Sequence, residues 1–174
     1  ADFFRLNGIS YEALPIETND EGKENLFAGR CDVYTTDASG LSSTRAAAAD
    51  PSKWLVLPEI ISKEPLGPLV RHGDHQWGDV VRWSLNAMII AEELGITSEN
   101  VDASLGSNVP EVLRLLGVEG SYGEMLELAP DWAYQIIKQI GNYSESYEAN
   151  VGPNTPLEIE RGLNALWTNG GILY

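Results

Sequence analysis

The sequence predicts an α/β fold with a parallel sheet, followed by a mainly helical C-terminal part. Three observations carry this reading. Over residues 1–57, helical and strand-like segments alternate, which is the pattern of βα units. The helical segments in that region open on capping residues or close on glycine. From Asp74 onward, apolar residues recur mostly at the helical period.

Residues 1–8 read as the latter part of an amphipathic helix ending at Gly8, followed by a strand around Tyr11–Ile16. Thr18 and Glu21 have the spacing of a capping box, in which the hydroxyl and the carboxylate each take a free amide. The helix they open is expected to bury Leu26 and Phe27 and to stop at Gly29. In 31–36, Cys31, Val33 and Thr35 alternate with Asp32, Tyr34 and Thr36, predicting a strand. A helix over 39–49 and an apolar strand at Trp54–Leu57 complete the alternation. The first strand of such a sheet would precede Ala1, so the sequence reads as a fragment lacking an N-terminal piece.

Pro65 and Pro68 bracket Gly67, which disfavours a central strand throughout 59–71. An extended crossing between two lobes fits, with 66–71 at a sheet edge and the internal boundary near Glu64. Residues 1–64 and 65–174 are thus expected to form separate bodies. Asp74 is a candidate N-cap for a helix reaching Leu94 and ending at Gly95, with Trp77, Val80, Val81, Leu85 and Met88 as its core face. Further helices are predicted over 97–104, 109–117, 131–149 and 156–168. Thr155, Pro156 and Glu158 supply the start signal of the last.

Composition narrows the function. The chain of 174 residues carries a net charge of −15, which disfavours nucleic acid and anionic lipid as partners. No apolar run approaches the roughly 20 residues that span a bilayer. Cys31 is the single cysteine, so neither an intramolecular disulfide nor a multi-cysteine zinc site is available. Two histidines, His72 and His75, sit by one helix start without a third ligand nearby, and capping or surface roles suit them better than a metal. Walker, dinucleotide, nucleophile-elbow and zincin motifs are absent, and no cofactor is expected.

What remains is Thr36-Asp37, at the C-terminal tip of a predicted strand, where open α/β sheets bind ligands. The Asp37 carboxylate suits a ligand ammonium group, with Thr36 offering a hydroxyl and an amide. The same aspartate could instead simply cap the following helix.

Several blocks carry a resemblance. Gly29-Arg30-Cys31-Asp32-Val33-Tyr34-Thr35-Thr36-Asp37-Ala38-Ser39-Gly40-Leu41 and Leu57-Pro58-Glu59-Ile60-Ile61-Ser62-Lys63-Glu64-Pro65-Leu66-Gly67-Pro68 closely resemble the general L-amino-acid-binding proteins of bacterial ABC importers. So do Asp131-Trp132-Ala133-Tyr134-Gln135-Ile136-Ile137-Lys138-Gln139 and Glu160-Arg161-Gly162-Leu163-Asn164-Ala165-Leu166-Trp167. The resemblance implies a periplasmic-binding-protein-like fold: one nearly complete α/β lobe in 1–64, lacking its first strand, and the C-terminal helical part of the other lobe in 65–174. It implies a periplasmic receptor that closes on a free L-amino acid and delivers it to a membrane permease, without inserting in the membrane or doing catalysis. Asp37 matches the residue that holds the substrate ammonium, and Thr36 a neighbour lining the pocket. The arginine that clasps the substrate carboxylate in this family has no counterpart in the chain. Two other readings stay open: a dehydratase-like enzyme on the same fold, and a fragment that does not bind.

Overall fold

The computed structural model describes residues 2–63 and 65–174. The chain divides into two compact units, Ala1–Leu66 and Gly67–Tyr174. The boundary expected at Glu64 falls on a residue outside the described ones.

The first unit holds three helices: α1 (Asp2–Leu6), α2 (Asn19–Phe27) and α3 (Ala38–Ala46). Thr18 caps α2 as expected, its hydroxyl accepting from the Glu21 amide at 3.2 Å. The Glu21 carboxylate takes the Glu17 amide at 2.9 Å instead of the Thr18 amide, so the box closes one residue early. Gly8 and Gly29 stop α1 and α2 in left-handed conformations, which glycine adopts without a Cβ clash.

The buried face of α2 differs from the prediction. Gly22 and Asn25 are its buried residues, while Phe27 is exposed and Leu26 only partly covered. The reason is local. Gly22 lies beneath the Tyr34 ring and the Ile16 methyl, which would have to shift to admit a Cβ. Asn25 turns inward to accept from Arg30 Nη1 at 2.9 Å, and Tyr34 Oη donates to Asn19 Oδ1 at 3.0 Å. Phe27 instead meets the Trp54 ring edge-on at 5.0 Å.

The predicted strands at 11–16, 31–36, 54–57 and 66–71 form no ladder among the described residues. The one bridge there is the parallel pair Leu166 and Leu173. A parallel strand takes its hydrogen bonds entirely from adjacent strands, so alternation of side chains cannot create one where no neighbour pairs with it. Val33, Leu55 and Leu57 are accordingly exposed.

The second unit is helical: α4 (His75–Glu93), α5 (Val101–Ser104), α6 (Pro110–Leu115), α7 (Tyr122–Met125), α8 (Trp132–Ile140) and α9 (Tyr143–Asn150). Asp74 caps α4, accepting from the Trp77 amide at 3.1 Å, and Gly95 ends it. α4 packs on α8 and α9, and α5 on α8. The core between them is Ala91, Ile96, Val101, Val112, Leu116 and Ile137. Contact is concentrated on the second half of α4, where Ala87, Ile89 and Ala91 are buried. The predicted face of Trp77, Val80, Val81, Leu85 and Met88 supplies none of the fully buried residues of α4. Trp77 is 55 % exposed and Leu85 37 %, while Val80, Val81 and Met88 are half-buried.

Two helix predictions are corrected. The span 131–149 is two helices, broken at Gly141, whose φ of 94° suits glycine, and at Asn142. Asn142 and Glu145 form a capping box that restarts the chain as α9. The span 156–168 is not an α-helix but turns and two single 3₁₀ turns, Gly162–Asn164 and Trp167–Asn169. Thr155 Oγ1 accepts from the Leu157 amide, two residues on, giving a turn rather than a cap. Glu158 then adopts a positive φ of 51°, and Ile159 bonds back to the Val151 carbonyl, which ends any helical path. α7 was not foreseen.

Candidate functional site

Asp37 is the N-cap of α3, with extended backbone angles of −62° and 154°. Its Oδ1 accepts from the Gly40 amide at 2.8 Å and from the Ser39 hydroxyl at 2.5 Å. Both donors lie in the first turn of α3, whose amides have no partner within the helix. The hydroxyl of Ser39, then the amide of Gly40, hold the Asp37 carboxyl below its ordinary value, so the group is ionised near neutral pH.

The second oxygen is treated differently. Oδ2 receives one long hydrogen bond, 3.4 Å from Thr36 Oγ1. A Cβ on Gly40 would stand 2.9 Å from Oδ2 and 3.2 Å from Thr36 Cγ2. Glycine at this position thus keeps space beside the oxygen that the cap leaves nearly unused. Thr44 Oγ1 donates to the Gly40 carbonyl at 2.7 Å and steadies the same turn.

The capping role weighed for Asp37 from sequence is therefore real, and it consumes one oxygen of two. Thr36 is exposed beside it, although the segment 31–36 that leads to it pairs with no strand among the described residues. Ser39 and Gly40 were missed as partners of Asp37. The signal was present: an aspartate followed two residues later by serine and three later by glycine can fold both donors onto one oxygen.

Elsewhere the chemistry-bearing residues are dispersed. Among the described residues no group of three His, Cys, Asp or Glu side chains could hold a metal ion. His72 and His75 are exposed at the start of α4. Among the described residues no helix is long and apolar enough to cross a membrane. In the second unit an apolar pocket of about 470 Å³ opens between α4, α6, α7 and α8.

Comparison with known proteins places this chain beside solute-binding proteins of the periplasmic-binding-protein class. No family model matches the chain. The chain is 51 % identical over 175 residues to the putative amino-acid ABC transporter-binding protein YhdW of Escherichia coli (strain K12), covering 100 % of this chain and 51 % of that protein. It is 51 % identical to the glutamate/glutamine/aspartate/asparagine-binding protein BztA of Rhodobacter capsulatus, again over 100 % of this chain and 52 % of the relative. The general L-amino acid-binding periplasmic protein AapJ of Rhizobium johnstonii matches at 51 %, over 100 % of this chain and 52 % of the relative.

A solved ABC transporter periplasmic binding protein from Brucella ovis, with glutathione bound, superposes with a TM-score of 0.92 and 48 % identity, over 99 % of this chain and 55 % of that one. The chain is thus similar along its whole length to amino-acid ABC transporter-binding proteins, and it has the fold of the part of the solved structure that it matches. It spans about half the length of the curated relatives it matches.

Proposed function

We propose that this chain belongs to the substrate-binding component of an ABC-type amino-acid importer. On this reading the protein works in the periplasm, takes a free L-amino acid and presents it to a membrane permease. The supporting observation is the identity of 51 % across the full chain to proteins named for amino-acid binding. Residues 1–64 would form most of one lobe, and 65–174 the returning segment and helices of the other.

In this reading Asp37 holds the ligand ammonium group through Oδ2, and Thr36 lines the site beside it. The local chemistry suits that role: the carboxylate is ionised, one oxygen is fixed by α3, and the other has only a 3.4 Å contact. An ammonium donor gives a charge-assisted hydrogen bond of about twice the strength of a neutral one. Closure of two lobes on a ligand follows from contacts that both lobes make only in the closed state.

Glutathione, bound by the Brucella ovis protein, ends in a glutamyl group with a free ammonium and carboxylate. An aspartate that grips that head group would not by itself distinguish a peptide thiol from an amino acid. The test is calorimetry on the complete gene product with a panel of L-amino acids and glutathione. Asp37→Ala is expected to weaken every ligand that carries the ammonium group. Unchanged affinity across the panel would remove Asp37 from the site.

A further inference from the structure

The pocket of the second unit has the make-up of a small-molecule site, and all of its lining residues belong to that unit. Its floor is Ala87, 2 % exposed, with Ile90 and Leu115 beside it. Trp83, Tyr122 and Trp132 supply aromatic walls. A cavity of about 470 Å³ falls within the range of roughly 300–1,000 Å³ common for ligand sites, which are mostly apolar with a few placed polar groups.

The wall formed by α7 is held in place. Gln76 Nε2, from the start of α4, donates to the Leu126 carbonyl at 3.3 Å and to Glu127 Oε2 at 3.2 Å. Glu127 has a φ of 57°, which a non-glycine residue adopts at a cost that the surrounding contacts must offset.

Two charged residues line the pocket, Glu111 and Arg114, one turn apart on α6. Neither is in an ion pair among the described residues. In a chain with 26 acidic and 11 basic residues, an unpaired arginine at an apolar opening is a specific attraction for an anionic group. With a carboxylate beside it, the rim complements a zwitterion better than a simple acid.

We propose that this pocket binds a free aromatic amino acid, with the ring between Trp83, Tyr122 and Trp132, the carboxylate on Arg114 and the ammonium on Glu111. Every residue of this site belongs to the second unit, and none is shared with the site assigned to Asp37.

The test uses fluorine NMR with a fluorinated L-tryptophan on the complete gene product carrying Asp37→Ala, so that the first site does not compete. Binding is expected to persist in that background. Adding Arg114→Ala, at an exposed position that the fold does not need, is expected to weaken it about tenfold. A fluorinated tryptamine, which lacks the carboxylate, should bind more weakly and be indifferent to Arg114→Ala. Absence of binding in the Asp37→Ala protein, or affinity unchanged by Arg114→Ala, overturns the proposal. Loss of amino-acid binding through Asp37→Ala with this pocket still active would support both sites; unchanged binding at the first site would count against that reading alone.

Discussion

The guanidinium of Arg161 lies 3.0 and 3.1 Å from the two carboxylate oxygens of Glu92. The same group stands over the rings of Tyr143 and Tyr147, at 5.1 and 5.3 Å from their centroids. The side chains of Arg161 and Glu92 are only 16 % and 12 % exposed. Arg161 also donates to the Asn164 carbonyl, and Trp167 Nε1 donates to Glu93 at 2.9 Å. The irregular C-terminal segment is thus fastened to the end of α4 by charge and aromatic faces rather than by helical packing.

Removing one partner of that pair leaves the other charge largely buried and uncompensated. Arg161→Ala or Glu92→Ala is expected to cost about 3 kcal/mol, read from urea unfolding. Replacing both by apolar residues of similar size should cost much less. Equal losses in the single and double variants would show that the pair is not the source.

Glu145 joins two distant turns. It accepts from the Ser98 hydroxyl and amide and from the Asn142 amide at 2.8 Å, while Asn142 Nδ2 donates to the Ile96 carbonyl. Burial pushes the Glu145 carboxyl up, but the hydrogen bonds from Ser98 and Asn142 outweigh it and leave it below 4.5. The unfolded state therefore binds the proton more readily. The stability from this group is present above pH 4.5 and is lost as the pH falls through the lower folded value. Glu145→Gln should flatten the acid limb of the stability profile; an unaltered limb would assign it to other carboxylates.

Ser39 is the main reason that Asp37 titrates low. Ser39→Ala is expected to raise the Asp37 pKa toward 3.8, followed by carboxyl carbon NMR during an acid titration. Ser39→Thr, which retains the hydroxyl, should restore the low value. If both variants titrate like the parent, the Gly40 amide alone sets the charge.

Gly22 admits no side chain without displacing Tyr34, whose ring carbon would lie 2.5 Å from an added Cβ, or Ile16 at 2.7 Å. Gly22→Ala should destabilise by about 1–3 kcal/mol despite alanine's better helix propensity. Pairing it with Tyr34→Ala should recover part of the loss. A neutral single variant would mean that the ring moves freely.

Much was legible in residues 1–174 read alone. Thr18 and Asp74 as caps, and Gly8, Gly29 and Gly95 as stops, are decided by one turn of backbone and a single side chain, so local sequence suffices. Asp37 was legible for the same reason, and its neighbourhood of Thr36, Ser39 and Gly40 is entirely contiguous.

What tertiary structure decided concerns groups far apart in the chain. Whether 11–16, 31–36 and 54–57 pair depends on neighbouring strands, not on their own alternation. Which residues of α4 are fully buried was settled by the packed chain, which leaves Trp77 open and Ala87 covered. The break at Gly141 and the failed helix after Thr155 were settled by Glu145 reaching Ser98 and by Ile159 bonding back to Val151. The pocket between α4, α6, α7 and α8 needed four elements to meet. Caps and stops are short-range, so sequence determines them; burial and pairing are collective, so only the packed chain can choose among the faces that its periodicity allows.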